Sequence, residues 1–454
     1  MEKSLKWAQY NQPAIIEQLK SLLRIPSIST DNYHKPDIMK AAEWIKTFFE
    51  SLGLETKTLE GSGNPIVFAQ TEQDPKKPTV LFYFHYDVQP SGDETLWTYG
   101  AFEPTEHNGR LYGRGTVDDK MQGLVHGFAL QSMIESGEEL PVNMKFCIEG
   151  EEEISSPNFE QTVKKYKDLI AHDYMIISDG YMPHPDKPNI ETGSRGIIYS
   201  QIRLSIGNKD LHSGQFGGVV KNANHELARL ITLLKDHNGK ITIPGFYDDI
   251  LSPSEAEYEN WKRHPALAEE YLDSGETYSL DEGEKGYSLE ERNWSRPTME
   301  VNGMWGGFIE KGAKTVIPCE AFAKISFRIV PGQNPDRIIE SYKAHLSQLA
   351  PQGVQVELQW ADKASAFVVD TTDPIFGKVQ EAITETFQTD AALSRTGGTI
   401  GMLSGVHAFF QKPIVLLNFG CADENAHSPN EFMRLKNFWR GIETSIRLMH
   451  KIGS

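Results

Sequence analysis

The sequence predicts an α/β fold in which a mostly parallel sheet is covered by helices on both faces. Short apolar runs of strand length recur along the chain, separated by helical patterns with apolar residues three and four positions apart. The runs lie at residues 79–84, 144–148, 174–177 and 414–419. The helix candidates lie at residues 14–24, 37–52, 119–136, 159–170 and 373–387. Short apolar strands that alternate with helices are typical of parallel sheets.

The middle of the chain follows a different pattern and predicts an inserted α+β domain. Its segments run β-α-β-β-α-β, with one strand weakly defined, at 197–206, 222–235, 322–330, 335–349 and 354–360. We expect the α/β domain to consist of residues 1–195 and 372–454, and the insert to consist of residues 196–371. Residues 241–297 lack a clear period, but four aromatic residues predict an ordered insertion: Trp261, Tyr271, Tyr287 and Trp294.

Composition excludes several classes of partner. The 454 residues include 45 Lys+Arg and 63 Asp+Glu, a net charge of −18. This acidic balance argues against nucleic acids and anionic membranes, because both require clustered Lys and Arg. Three cysteines are too few for a disulfide framework. No run reaches the roughly 18 apolar residues of a membrane span. The first residues also lack the apolar core of a signal peptide, so we expect a cytoplasmic protein.

Residues of metal-ligand type follow the ends of the predicted strands. His85 and Asp87 come directly after the first apolar run, and glutamates 149 and 151–153 come after the second. Asp179 follows the third run, and His427 lies a few residues beyond the fourth. Open α/β sheets bind ligands outside the carboxyl ends of their strands. Four strands therefore bring His or carboxylate groups to one edge, which predicts a shared metal site.

Each of these residues also has an ordinary structural explanation. A lone histidine such as His85 is more often structural than a ligand, and Asp87 could begin a turn. The glutamates at 151–153 could be a solvated acidic face. Asp118 and Asp119 open a predicted helix, where Asp is a favoured N-cap. Their coincidence at four strand ends favours the metal site.

Other catalytic classes leave no signature in the sequence. It has no Gly-x-Ser-x-Gly nucleophile motif, no phosphate-binding P-loop and no Cys-x-x-Cys pair. His225 and Glu226 begin like the helical zinc motif, but Arg229 stands where its second histidine would be.

Five ordered motifs resemble those of the dinuclear zinc metallopeptidases, which include carnosinases, bacterial dipeptidases, glutamate carboxypeptidases and aminoacylases. The motifs are His-Tyr-Asp-Val-Gln-Pro at 85–90, Tyr-Gly-Arg-Gly-Thr-Val-Asp-Asp-Lys at 112–120, the glutamates of 149–153, Asp179, and Asn-Ala-His-Ser at 425–428. Asp-Leu-His-Ser-Gly at 210–214 and Phe-Arg-Ile-Val-Pro-Gly at 327–332 place the chain nearest the carnosinase-like dipeptidases. The resemblance covers nearly the whole chain. It implies a catalytic α/β domain and an inserted lid and dimerisation domain.

The resemblance implies a role for each ligand-type residue. Asp118 would bridge two metal ions. His85 and Asp179 would complete the protein ligands of one ion, and Glu153 and His427 those of the other. The family also has a cis peptide bond after its bridging aspartate, which here would join Asp118 and Asp119.

The resemblance further assigns Glu152 as the general base and Asp87 as the residue that orients His85. Two metal ions about 3.5–4 Å apart can share a bridging water and lower its pKa from about 15.7 towards about 7, which gives hydroxide at neutral pH. Glu152 would take the proton of this water and deliver one to the leaving amine. A ligand set without thiolates suits zinc, with manganese as the alternative.

Charge counting also favours two divalent cations. The proposed site concentrates five carboxylates that two such ions would largely neutralise: Asp87, Asp118, Glu152, Glu153 and Asp179. Without metal, their mutual repulsion would destabilise the fold.

Substrate contacts are assigned by resemblance alone. His212 would stabilise the developing oxyanion in the active site of the other subunit of a homodimer. Arg328 would bind the terminal carboxylate of the substrate, a task that suits a planar bidentate donor. Thr315, Gly398 and Thr399 match further substrate-binding positions. Without the family, Arg328 could equally be a surface arginine of a strand, and His212 an ordinary loop histidine.

The sequence therefore predicts a two-metal enzyme that hydrolyses dipeptides or short peptides with a free C-terminal carboxylate. Residues 363–367 lack the histidine-containing stretch of carnosinases, which argues against histidine-containing dipeptides as preferred substrates. A deacylase of N-acyl amino acids would use the same metal site and is the main alternative. A non-catalytic metal-containing binding protein is a remote one, because such a protein has little reason to keep Glu152.

Overall fold

The computed structural model describes residues 1–263, 279–399 and 401–454, which divide into two compact units. The first unit contains Met1–Thr192, Val369–Ser394 and Gly405–Ser454. The second unit contains Gly193–Val368 and Arg395–Ser404.

The helices in the described part of the chain are α1 (Glu2–Tyr10), α2 (Gln12–Leu23), α3 (Lys35–Ser51), α4 (Lys120–Glu135), α5 (Phe159–Lys165), α6 (Lys167–Ile170), α7 (Ser213–Phe216), α8 (Ala223–Leu233), α9 (Glu255–Arg263), α10 (Pro335–Leu349), α11 (Pro374–Phe387), α12 (Gly401–Phe410) and α13 (Leu435–Ile452).

The strands are β1 (Glu55–Leu59), β2 (Ile66–Gln70), β3 (Thr79–His85), β4 (Thr105–His107), β5 (Arg110–Tyr112), β6 (Asn143–Glu149), β7 (Tyr174–Ile177), β8 (Tyr181–Met182), β9 (Asn189–Ser194), β10 (Gly196–Ser205), β11 (Leu211–His212), β12 (Thr298–Gly306), β13 (Val316–Ile317), β14 (Glu320–Ile329), β15 (Gln355–Ala364), β16 (Phe367–Val368), β17 (Ala392–Thr396), β18 (Ile414–Leu417), β19 (Gly420–Cys421) and β20 (Phe432–Arg434).

The central sheet of the first unit is mostly parallel, as predicted. Its strands lie in the order β1-β2-β6-β3-β7-β18-β9. The four strands β6, β3, β7 and β18 are neighbours and run parallel, and they are the four apolar runs that the sequence predicted. On one side β2 pairs antiparallel with both β6 and β1, and on the other side β9 pairs antiparallel with β18. The four parallel strands end at one edge of the sheet.

Helices cover both faces of this sheet. Consecutive side chains of a strand point to opposite faces, so one strand can contact helices on both. Phe82 of β3 stacks on His126 of α4, with ring centroids 4.6 Å apart. The next residue, Tyr83, points to the other face and contacts Phe159 of α5 at 5.3 Å. Strand β3 is therefore buried on both sides, which explains its uninterrupted apolar sequence. The predicted α/β fold class is confirmed.

The second unit is built on an antiparallel sheet of order β12-β14-β10-β15. In chain order its main elements are β10, α8, β12, β14, α10 and β15, which is the predicted β-α-β-β-α-β pattern. Its core joins the inner face of the sheet to the two helices, as in the contact of Phe327 with Tyr342 at 5.0 Å between ring centroids. The one strand of this pattern that the sequence defined only weakly is β12.

The long insertion of the second unit has a buried aromatic contact. Trp261 of α9 packs against Trp294 with ring centroids 5.1 Å apart, and both side chains are buried. Tyr287 lies under the guanidinium of Arg296 at 4.4 Å. Tyr271, the fourth aromatic residue expected to anchor this segment, lies outside the described residues. None of the described helices combines the length and the apolar character needed to cross a membrane.

Candidate metal centre

The candidate site lies where the parallel strands of the first unit end. His85 is the last residue of β3 and is in register with Glu149, the last residue of β6. Asp179 follows the end of β7, and His427 lies in the loop after β18. The loop between β5 and α4 supplies Asp118. The prediction that separate strands bring ligand-type residues to one edge therefore agrees with the geometry.

Two clusters of ligand atoms share Asp118. The His85 cluster consists of His85, Asp118 and Asp179, and the His427 cluster of Asp118, Glu153 and His427. Within each cluster the ligand atoms lie within 4.8 Å of one another. His85 Nε2 is 3.0 Å from Asp118 Oδ1, whereas His427 Nε2 is 2.9 Å from Asp118 Oδ2. The two oxygens of Asp118 thus face different clusters, as a bridging carboxylate requires.

The clusters have the chemistry of divalent cation sites. Each offers one imidazole and two carboxylates, with no thiolate. Hydrogen bonds to Asp118 and Glu153 raise the pKa of His427 to about 10. Burial opposes protonation of His85, but hydrogen bonds to Asp118 and Asp179 outweigh it and raise the pKa of His85 well above its usual range. This excess of negative charge around both imidazoles fits a pair of bound cations.

Asp87 joins two parts of the site. Its backbone carbonyl lies 3.0 Å and its carboxylate Oδ1 3.3 Å from His85 Nδ1, the ring nitrogen that points away from Asp118. The same carboxylate accepts hydrogen bonds from the backbone N–H groups of Glu152 and Glu153, at 3.2 and 3.1 Å. Asp87 is fully buried. It therefore fixes both the ring of His85 and the loop that carries Glu152.

Glu152 begins a short 3₁₀ turn, Glu152–Ile154, directly after Glu151. Its carboxylate makes no hydrogen bond to a described residue and remains available as a proton acceptor. Burial raises the pKa of Glu152, and the carboxylates of Asp179 and Asp118 add to the rise although His85 opposes it. A metal-free site thus disfavours the charged form that a general base needs.

Gln89 is a site residue that the sequence reasoning did not assign. Its side-chain Nε2 donates to Glu153 Oε2 at 2.7 Å, and its backbone N–H donates to Glu153 Oε1 at 3.1 Å. These two bonds orient the Glu153 carboxylate towards His427, whose Nε2 lies 3.1 Å away. The available signal was its position in the motif at 85–90, four residues after His85.

Glu431 is a second residue that the sequence reasoning missed. Its buried Oε1 accepts hydrogen bonds from the backbone N–H groups of Gly115, Val117 and Asp118, at 3.0, 3.0 and 3.2 Å. Its Oε2 accepts from Arg114 Nη1 at 2.6 Å. This carboxylate holds the loop that presents Asp118. In the sequence, nothing distinguished it from an ordinary acidic loop residue.

The peptide bond between Asp118 and Asp119 is cis, as the family resemblance implied.

The residues assigned to substrate lie in the second unit and form two groups. Arg328 of β14 donates from Nη1 to Thr399 Oγ1 at 2.7 Å, and Gly398 precedes Thr399 in the same turn. His212 of β11 lies beside Thr315, whose carbonyl accepts from Ser213 N–H at 3.1 Å. Among the residues that the structure describes, Arg328 forms no ion pair, and its side chain is only partly exposed.

Comparison with known proteins identifies the family. The model of peptidase family M20/M25/M40 matches residues 81–451, which include both clusters. The chain belongs to this peptidase family. The family resemblance inferred from the five motifs is therefore confirmed, and membership implies divalent metal ions at the site.

Curated relatives of this chain include named dipeptidases. The human Beta-Ala-His dipeptidase is 32% identical over 386 residues, which cover 84% of this chain and 76% of the relative. The Cys-Gly metallodipeptidase dug1 of Schizosaccharomyces pombe is 30% identical over 467 residues, with coverage of 97% and 95%.

Solved structures agree with the fold. The di-peptidase Dug1p of Saccharomyces cerevisiae matches with a TM-score of 0.81 and 28% identity, over 100% of this chain and 98% of its own. The metallo-carboxypeptidase Sso-CP2 of Sulfolobus solfataricus matches with a TM-score of 0.83 and 30% identity, over 96% and 99%.

Proposed function

We propose that this peptidase hydrolyses dipeptides or short peptides that end in a free carboxylate. The observation that carries the proposal is the pair of clusters that share Asp118, with the unbonded carboxylate of Glu152 beside them. Relatives named as dipeptidases over most of this chain support the choice of substrate.

Two metal ions would be held by the residues of the clusters. Asp118 would contact both ions, with His85 and Asp179 at the first and Glu153 and His427 at the second. When bound, such ions polarise the scissile carbonyl and lower the pKa of water. We propose zinc, with manganese as the alternative, because each cluster combines an imidazole with carboxylates.

Glu152 would act as the general base. It would accept a proton from the attacking water and donate it to the leaving amine, a task that requires a carboxylate without a competing hydrogen bond. Asp87 would keep the imidazole of His85 in the orientation that ligation needs, since a second hydrogen-bond partner fixes both tautomer and ring direction.

Recognition of the substrate would fall to the second unit. Arg328 would bind the terminal carboxylate, with Thr399 and Gly398 in the adjoining turn as further contacts. His212 and Thr315 would contact the substrate in the other subunit of a homodimer formed through the second unit. The sequence resemblance supports this assembly, and light scattering of the purified protein would measure it directly.

We propose that the enzyme works in the cytoplasm, because a chain of this length with three cysteines matches proteins of reducing compartments.

One experiment tests the proposed reaction. The protein is loaded with zinc or with manganese and assayed against unmodified dipeptides and against N-acetyl and N-succinyl amino acids. We expect turnover of dipeptides and little turnover of their C-terminal amides. Turnover of the acylated amino acids alone would replace the proposal with a deacylase, and elemental analysis of the protein as purified identifies the metal.

A further inference from the structure

Arg195 is a buried arginine without an acidic partner. Its side chain is 9% exposed. Nε donates to the carbonyl of Gly397 at 2.9 Å, whereas the buried Nη1 has no hydrogen-bond partner. The charge of Glu300 acts on Arg195, but no described carboxylate forms an ion pair with it. Burying a guanidinium without a counter-ion is unfavourable, and a bound anion would offset this cost.

The other buried arginines of the protein do have carboxylate partners. Arg114, 2% exposed, lies 2.6 Å from Glu431. Arg395, 4% exposed, makes two hydrogen bonds of 2.9 Å to Glu257. Arg195 therefore departs from the way this protein otherwise buries a guanidinium.

A second guanidinium lies close to Arg195. Arg328 donates to Thr399 Oγ1, and this hydroxyl donates in turn to the backbone carbonyl of Arg195 at 2.7 Å. Arg328 also forms no ion pair with a described residue and is only partly exposed. Burial and the neighbouring charge of Arg328 lower the pKa of Arg195 to about 10, so both groups stay protonated at neutral pH. Two positive charges thus adjoin the turn at Gly397 to Thr399.

We propose that Arg195 and Arg328 form a dicationic subsite that selects substrates whose C-terminal residue carries an acidic side chain. This inference rests on the proposed function, since it extends the carboxylate recognition assigned to Arg328. One terminal carboxylate compensates one guanidinium and leaves the other without a counter-ion. A second carboxylate, supplied by a C-terminal Asp or Glu, compensates both and gives Arg195 Nη1 an acceptor.

The test compares two substrates of the same shape, Ala-Glu and Ala-Gln, with the metal-loaded protein. We expect kcat/KM for Ala-Glu to exceed that for Ala-Gln by about tenfold or more, the range of a hydrogen bond to a charged group. Arg195→Met should bring the ratio close to one, and Arg195→Lys should retain part of it. Binding of free glutamate and glutamine, measured by calorimetry, should follow the same order without any turnover.

Arg203→Met is the matched control. Arg203 lies on strand β10, which begins directly after Arg195, but is already paired with Glu320 and Glu357, so its loss should leave the ratio unchanged. Equal kcat/KM for the two dipeptides, or a ratio that survives Arg195→Met in a folded protein, would overturn the inference. If wild-type protein cleaves neither dipeptide, the proposed function fails instead. In that event N-acetylglutamate and N-acetylglutamine provide the same comparison for the dicationic subsite.

Discussion

Glu431 and Arg114 form a buried ion pair in which Glu431 Oε2 lies 2.6 Å from Arg114 Nη1. The other oxygen of Glu431 accepts a hydrogen bond from the backbone of Asp118. His427 precedes Glu431 in the same loop, so this one carboxylate connects the segments that carry two of the proposed ligands. The position of Asp118 between the clusters thus depends on a residue that need not touch metal.

We expect Glu431→Gln to weaken metal binding about 10- to 100-fold, the usual effect of losing a residue that supports a metal ligand through hydrogen bonds. The amide keeps the volume of the side chain but removes the charge that three backbone N–H groups and Arg114 require. Competition with a metal-indicator dye measures the affinity. Glu257→Gln is the control, because it breaks a comparable buried pair with Arg395 in the second unit and should leave metal affinity unchanged. Equal effects of the two variants on metal affinity would contradict this role.

Glu152→Gln should bind metal normally and lose activity by about 100- to 10,000-fold, the contribution typical of a general base. The amide can neither accept the proton of water nor deliver one to the amine. Metal content by elemental analysis and kcat from dipeptide hydrolysis are measured on the same sample. Comparable turnover in the variant would reject Glu152 as the base.

Removal of metal should lower the thermal stability as well as the activity. The two clusters concentrate carboxylates that repel one another when no cation lies between them. Calorimetry of the protein before and after treatment with a chelator measures the fall in Tm, and re-addition of zinc should restore it. An unchanged Tm together with unchanged activity would contradict the two-metal site.

Metal affinity should rise with pH. The pKa of His427 is raised to about 10 and that of His85 is also raised, so at neutral pH both imidazoles of the metal-free protein hold a proton that metal must displace. We expect net release of protons on full loading at pH 7, from the two imidazoles and from Glu152, whose pKa is raised to about 9 in the metal-free site. Calorimetry in buffers of different ionisation enthalpy counts these protons.

The stability of the metal-free protein should change with pH in the opposite direction. A folded pKa above the unfolded value means that protonated His427 stabilises the metal-free fold fully below its ordinary pKa. This stabilisation is lost as pH rises towards about 10. Urea unfolding of the metal-free protein at several pH values measures it, and His427→Gln should flatten the dependence.

Arg328→Met should raise KM for dipeptides about tenfold or more and affect their C-terminal amides less. The variant loses a charged donor that binds the terminal carboxylate of a dipeptide more strongly than the neutral C-terminal amide. Arg328→Lys should recover part of the difference, because the ammonium keeps the charge but not the bidentate geometry. An equal loss on acids and amides would indicate a structural role.

The central sheet could be predicted because its strands are buried on both faces. A continuous apolar run such as residues 79–84 is recognisable without knowing its neighbours, and four such runs became the parallel strands. Strand β12 was harder to define, since several of its residues are exposed and its pairing with β14 contains an irregularity after Val301. Its place depends on pairing, which local sequence does not specify.

The supporting residues could not be predicted for a related reason. Ligand-type residues have a chemical identity that the strand ends reveal, but Glu431 and Gln89 act through hydrogen bonds to segments distant in sequence. Arg195, between β9 and β10, has no feature in the sequence that reveals its burial or its lack of a carboxylate partner among the described residues. Such roles depend on three-dimensional contacts, and they produce no recognisable local spacing in the sequence.

The two clusters differ in when the growing chain can complete them. Every residue of the His85 cluster precedes the second unit, whereas the His427 cluster needs a histidine that follows it. Strand β18, which pairs with β7 in the sheet, also comes from this late segment. A chain emerging from the ribosome therefore contains one complete set of three ligands long before the other. Only when the residues after the second unit have been synthesised can the His427 cluster, and with it the pair of clusters that share Asp118, be completed.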